Sequence, residues 1–137
     1  MKNKFKLPNK FNKNTNQVST VNVGMPTYKR ATQQEINDAR QTLRTHTDPV
    51  FRKAADHFRD ESLSEMIFNA RMWSDTLDQT LALNQAHNTK TVLSQWVQAN
   101  LNQCSHSGMK AMFYMATALI GKGTYEAAKL HCNFAKA

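Results

Sequence analysis

Residues 62–86 read SLSEMIFNARMWSDTLDQTLALNQA. The apolar side chains Met66, Ala70, Trp73, Leu77 and Leu81 recur there at steps of 4, 3, 4 and 4. That is the period of one face of an α-helix; a strand would alternate its faces every two residues. Ser62 and Glu65 have the spacing of a capping box, in which the hydroxyl accepts from the third helical amide and the carboxylate reaches back. The pattern predicts a helix over about 63–86. No Gly or Pro occurs from Val50 to Ser107. A β-rich fold would rarely run so far without turn residues.

The same reading extends outward in both directions. Before this stretch, Asp48-Pro49 is a start signal, an N-cap side chain followed by Pro at the first helical position. Val50, Phe51, Ala54, Ala55 and Phe58 give that helix its apolar face, to about residue 60. Further back, Thr32 and Glu35 form another capping box. Ile36, Ala39 and Leu43 follow it as a stripe, which predicts a helix over about 33–45. Beyond the central stretch, Asn88-Thr89 marks a break. Val92, Leu93, Trp96, Val97 and Leu101 then predict a helix over about 90–103. Ser105 to Gly108 reads as a turn. Met109, Met112, Phe113, Ala116, Leu119 and Ile120 form the next helix, ended by Gly121 as a left-handed cap. Thr124 is expected to cap a last helix with Ala127, Leu130 and Phe134 inward. The expected architecture is all-α, a compact bundle of about five to six helices spanning 32–137. Met66, Met72, Met109, Met112 and Met115 are expected to fill its core, or else to line a groove for a partner helix.

Residues 1–31 are of another kind. Asn, Lys, Thr and Ser dominate, Pro8 and Pro26 interrupt, and no helical stripe forms. Such a segment buries too little apolar surface to offset the entropy of its own ordering, so it is expected to be a disordered arm. Gln17 to Val23 alternates polar and apolar residues, the pattern of a short strand once a partner supplies an edge.

Charge divides the chain at the same place. Residues 1–32 hold Lys2, Lys4, Lys6, Lys10, Lys13, Lys29 and Arg30 and no acid, which is +7 of a formal net charge of +8. The remainder is nearly neutral. A basic N-terminal arm is a common device for gripping phosphates, and each lysine that neutralises one releases a counterion. Phe5 and Phe11 lie among the lysines, where rings can stack on unpaired bases. Arg40 and Arg44 share one helix face and extend the candidate surface onto the body. Arg52, Lys53 and Arg59 lie on the next helix, close to Asp48, Asp56, Asp60 and Glu61. The bland alternative is a solvated, solubilising tail beside an ion-paired helix face.

Other chemistries find less support. Gly121-Lys122-Gly123-Thr124 resembles the end of a phosphate-binding loop. The pattern, however, needs Gly at position 116 and Ser or Thr at position 123, where this chain has Ala116 and Gly123. Cys104, His106, His131 and Cys132 are metal-ligand types, but Cys-x-His and adjacent His-Cys lack the two-to-four-residue spacing of a zinc pair. The two cysteines read as reduced core thiols. No paired carboxylates stand in an apolar setting, so no catalytic residue is assigned and no metal or cofactor is expected. The longest apolar run, Met109 to Ile120, is too short to span a bilayer and contains Lys110. No apolar signal region follows the basic N-terminus, so the expected location is cytoplasmic, or within a nucleoprotein particle.

The sequence therefore predicts a non-enzymatic protein that oligomerises and coats, packages or organises DNA or RNA through its arm. A helical regulator or adaptor that binds a protein partner is the alternative.

Overall fold

A computed structural model of the chain describes residues 18–21, 26–121 and 123–132. Among them are six α-helices and no strand: α1 (Gln33–Arg44), α2 (Pro49–His57), α3 (Asp60–Leu83), α4 (Thr89–Gln103), α5 (Ser107–Ile120) and α6 (Thr124–Lys129). The all-α bundle is as the hydrophobic periodicity predicts.

The long helix α3 is the spine. It packs against α1, α4 and α5; α2 folds back on α1, and α6 closes against α4 and α5. The interior is built from the stripes already named. Ile36 and Leu43 of α1, Phe51 of α2, Leu63, Met66 and Leu77 of α3, Trp96 and Val97 of α4 and Phe113 of α5 are all buried. Aromatic rings run through the centre. Trp73 meets Phe113 edge-on at 4.8 Å between centroids, and Trp96 lies 5.5 Å from the same ring.

Local signals account for several helix ends. Thr32 Oγ1 accepts from the Glu35 amide at 3.1 Å, and Glu35 Oε1 accepts from the Thr32 amide at 2.8 Å. Asp48 caps α2 and Asn88 caps α4 through their side chains. Gly121 ends α5 at φ 66°, a conformation that costs an L side chain energy and glycine none.

Several boundaries differ from expectation, each for a local reason. Helix α2 stops at His57, where Phe58 turns extended. Helix α3 then begins at Asp60 behind Arg59, which makes no side-chain cap, so Ser62 and Glu65 lie inside the helix and form no capping box. Asp60 and Glu61 in the first turn favour this earlier start, because negative charge offsets the exposed amides there. Helix α3 ends at Leu83 rather than near 86, since the Asn84 side chain bonds a segment outside the helix. Helix α5 starts at Ser107, so the expected turn is only its cap, and Met109 in the first turn is 40% exposed. Thr124 does not cap α6. Gly123 does so at φ 76°, and Thr124 Oγ1 instead donates to Thr117 O at 2.9 Å. Leu130 lies just past this six-residue helix and is 75% exposed rather than inward. Phe134 lies outside the described residues.

The boundary between arm and body also shifts. Val18 and Ala31, both within the expected arm, are buried at 3% and 4% exposure. Ser19 bonds Asn84, Tyr28 stacks edge-on against Phe68 at 5.3 Å, and the Ala31 amide donates to Ser64 Oγ at 2.8 Å. The described parts of 18–31 thus follow α3 from its C-terminal end back toward its start. None of them is a strand. Residues 1–17, with Lys2, Lys4, Lys6, Lys10, Lys13, Phe5 and Phe11, lie outside the described residues.

Candidate nucleic-acid interface

Four candidate cations fall within the described residues, and two of them converge. Arg30 Nε donates to Glu61 Oε2 at 2.7 Å, and Arg40 reaches Asp60 Oδ1 at 2.6 Å, so both address the first turn of α3. Arg40 also donates to the carbonyls of Ala55 and Phe58 at 2.6 and 2.8 Å. It therefore joins the end of α2 to the start of α3, with its side chain only 20% exposed. Hydrogen bonds from Gln33 and from Arg40 hold the Asp60 carboxyl below its ordinary value. Arg44, one turn along α1, faces Asp56 at 3.5 Å across an exposed pair. Such exposed pairs are weak and leave the arginine accessible to a competing phosphate.

Lys29 is exposed and has no ion pair among the described residues. The same holds for Lys53 on α2 and for Arg59 between α2 and α3. His57 sits one turn after Lys53 on the same helix face and is exposed as well. Arg52 is engaged differently. Its Nη1 donates to the carbonyls of His46 and Thr47, both at 2.8 Å, and so ties the first turn of α2 to the α1–α2 loop. Of these body cations, Lys29, Lys53 and Arg59 are exposed with no ion pair among the described residues, whereas Arg40 is engaged.

A second polar cluster lies in the interior. Asp48 is 8% exposed. Its Oδ1 accepts from the Val50 amide at 3.0 Å, and its Oδ2 accepts from Tyr114 at 3.1 Å and Tyr125 at 2.8 Å. The Asp48 amide in turn donates to His46 Nδ1 at 3.0 Å, and the His46 ring stands edge-on against Phe51 and Tyr125. Burial alone would raise the Asp48 carboxyl, but the donors around it hold it below its ordinary value. Burial lowers His46 and raises both tyrosines. The arrangement ties the α1–α2 loop to α5 and α6 by hydrogen bonds to one carboxylate. The sequence marks Asp48 as a cap; its two tyrosine partners, 66 and 77 residues away, leave no local signal.

Three of the four metal-ligand types have a hydrogen-bond partner. Cys104 Sγ donates to Asn100 O at 3.3 Å, His106 Nδ1 accepts from the Met109 amide at 3.3 Å, and His131 Nε2 pairs with Ser94 Oγ at 2.8 Å. Cys132 is buried in the core, where burial and the nearby Cys104 push its thiol up to about 11. Among the described residues no three His, Cys, Asp or Glu side chains group as a metal site, and no helix is long and apolar enough to cross a membrane.

One open groove of about 340 Å³ lies between α1, α3 and the end of α5. Ala39, Ile67, Ala70 and Leu119 supply apolar walls, and the Glu35–Arg71 ion pair sits at its edge. No methionine lines it. Comparison with protein-family models, with curated proteins and with solved structures finds no match for the chain.

Proposed function

We propose that the protein is a non-enzymatic nucleic-acid-binding protein that oligomerises and coats, packages or organises DNA or RNA. The observation that carries this reading is the charge division. Residues 1–32 hold seven cations and no acid, against a nearly neutral remainder. Counterion release makes such a segment bind phosphates with an affinity that falls steeply with salt. Lysine predominates over arginine in the arm, which suits phosphate attraction more than base reading. Lys29, Lys53 and Arg59, exposed and unpaired among the described residues, lend support on the body side. The bundle makes the protein–protein contacts. The test is the affinity of the full chain for duplex DNA, single-stranded DNA and RNA across a salt series. A steep negative slope of log affinity against log salt is the expected result.

A second reading is supported by the groove between α1, α3 and α5, whose apolar walls and charged edge suit a helix of a protein partner. On that reading the full chain binds nucleic acid weakly at every salt concentration.

A further inference from the structure

The groove between α1, α3 and the end of α5 combines apolar walls with uncompensated acid. Ala39, Ile67, Ala70 and Leu119 form the apolar part, and Glu35, Asp38 and Arg71 are its charged members. Arg71 is committed to Glu35 in an ion pair. Asp38 is exposed; its carboxylate accepts from Gln34 Nε2 at 2.9 Å but meets no cation among the described residues. Asp75, one turn beyond Arg71 on α3, is exposed and likewise has no ion pair among the described residues. Two carboxylates thus stand at the groove without a counter-charge, in a body whose charge is otherwise nearly balanced. Their field repels phosphate and favours a cationic occupant.

The chain itself carries a segment of matching chemistry. Residues 4–11 read KFKLPNKF, in which Phe5, Leu7 and Phe11 are interleaved with Lys4, Lys6 and Lys10. Pro8 opposes a helix there, so the segment suits an open groove as an extended peptide. Its root is fixed on the body: Gln95 Oε1 accepts from the Val18 amide at 2.8 Å, and Asn84 Oδ1 accepts from the Ser19 amide at 3.1 Å. The stretch from Leu7 to Val18 spans about 36 Å when extended. Ser74, in the groove, stands about 15 Å along α3 from Asn84. A segment tethered so closely meets the groove at an effective concentration of about millimolar order, so even a weak seat is filled.

We propose that the groove is the resting seat of the chain's own basic arm, with apolar side chains of residues 4–11 against its walls and their lysines against Asp38 and Asp75. Exposed charge pairs are weak, so the apolar side chains give the seat its affinity and the carboxylates give it its preference for a lysine-rich segment. The seat also regulates the arm. While docked, Lys4, Lys6 and Lys10 are withheld from phosphate; a polyanion that offers many phosphates at once draws them out. Sparse or short polyanions compete poorly, and long ones win. That consequence rests on the proposed function. The docking does not, and its test uses no nucleic acid, so the two can fail separately.

The unmodified full chain, treated with a carbodiimide at low salt, reports the contact, because the reagent joins a lysine amine to a carboxylate that it touches. An equal mixture of natural and nitrogen-15-labelled chains separates links within one chain from links between two. Peptide mass spectrometry should find Lys4, Lys6 or Lys10 joined to Asp38 or Asp75 within one chain. These links should outnumber those to Asp56, Glu65 and Glu126, which are also exposed, by about tenfold. Leu7→Ser keeps every lysine and removes one apolar anchor, so the links to Asp38 and Asp75 should fall about fivefold or more. Links spread evenly over the exposed acids, links found only between chains, or none to Asp38 and Asp75 overturn the proposal. So does a Leu7→Ser chain that links as the parent does. A chain that shows the expected links yet binds no nucleic acid at any salt concentration retires the proposed function and leaves the docking intact.

Discussion

Asp48→Ala is the sharpest perturbation of the fold, because one buried carboxylate serves three donors. Removing it takes away the N-cap of α2, worth about 1 kcal/mol. It also removes the hydrogen bond from Tyr114, a fully buried residue, to a charged acceptor, worth about 1.5–3 kcal/mol. The Tyr125 bond adds less, since that ring is half-buried and water can replace the acceptor. The expected loss is about 3–4 kcal/mol, or a fall in Tm of roughly 10 °C. Asp48→Asn keeps one oxygen, enough for the cap on Val50 but not also for the tyrosines, so it should cost less than the Ala variant, about 2 kcal/mol. Urea unfolding followed by circular dichroism gives both values. The acid limb is a further check. The folded Asp48 carboxyl lies below its ordinary value, so its contribution is present above an unfolded value of about 3.8 and is lost as pH falls through the lowered folded value. Asp48→Asn should flatten the stability profile in that range. An Asp48→Ala protein within about 1 kcal/mol of the parent, or an Asn variant as damaged as the Ala variant, would refute the reasoning.

Phe113→Ala, at the meeting point of Trp73 and Trp96, should cost about 3–5 kcal/mol in the same assay. Burial favours neutral His46, so stability should fall as pH drops from its unfolded value of 6.5 toward the lowered folded value, and His46→Gln should remove that slope. At the alkaline end the Cys132 thiol, raised from 9.0 to about 11 by burial and by Cys104, favours its protonated form in the fold. Stability should therefore decline as pH rises through that interval, and Cys132→Ala should abolish that part of the decline. Phe5→Ala with Phe11→Ala should weaken single-strand binding more than duplex binding, as measured by fluorescence anisotropy, if the rings stack on bases.

The helices were legible because their causes are local. Thr32, Asp48 and Gly121 each act within a turn of their own position, and the stripe from Met66 to Leu81 repeats at a single period. The misplaced boundaries come from competing signals at neighbouring positions and from contacts that form only when segments pack. Ser62 lost its cap role because the α2–α3 connection is only two residues long and Asp60 and Glu61 already favour an earlier start. Leu130 faces outward because α6 is too short to carry a stripe that far. Val18 and Ala31 were hidden in a polar stretch, since their partners on α3 and α4 are 33 to 77 residues away. Of the candidate interface, the charge division was visible outright. Which body cations are free and which are bound was not, because Arg40 meets Asp60, and Arg30 meets Glu61, only after the helices pack.

The central claim concerns the arm, and deleting residues 2–13 tests it most directly. The deletion removes Lys2, Lys4, Lys6, Lys10 and Lys13, five of the seven cations before residue 33, and leaves Val18 and its contacts in place. Affinity for nucleic acid should fall strongly at moderate salt. The slope of log affinity against log salt should shrink by roughly 2–4 units, at about 0.9 per lost duplex contact or 0.7 per single-strand contact. A full-length protein whose binding is weak, insensitive to salt and unchanged by the deletion would contradict the account.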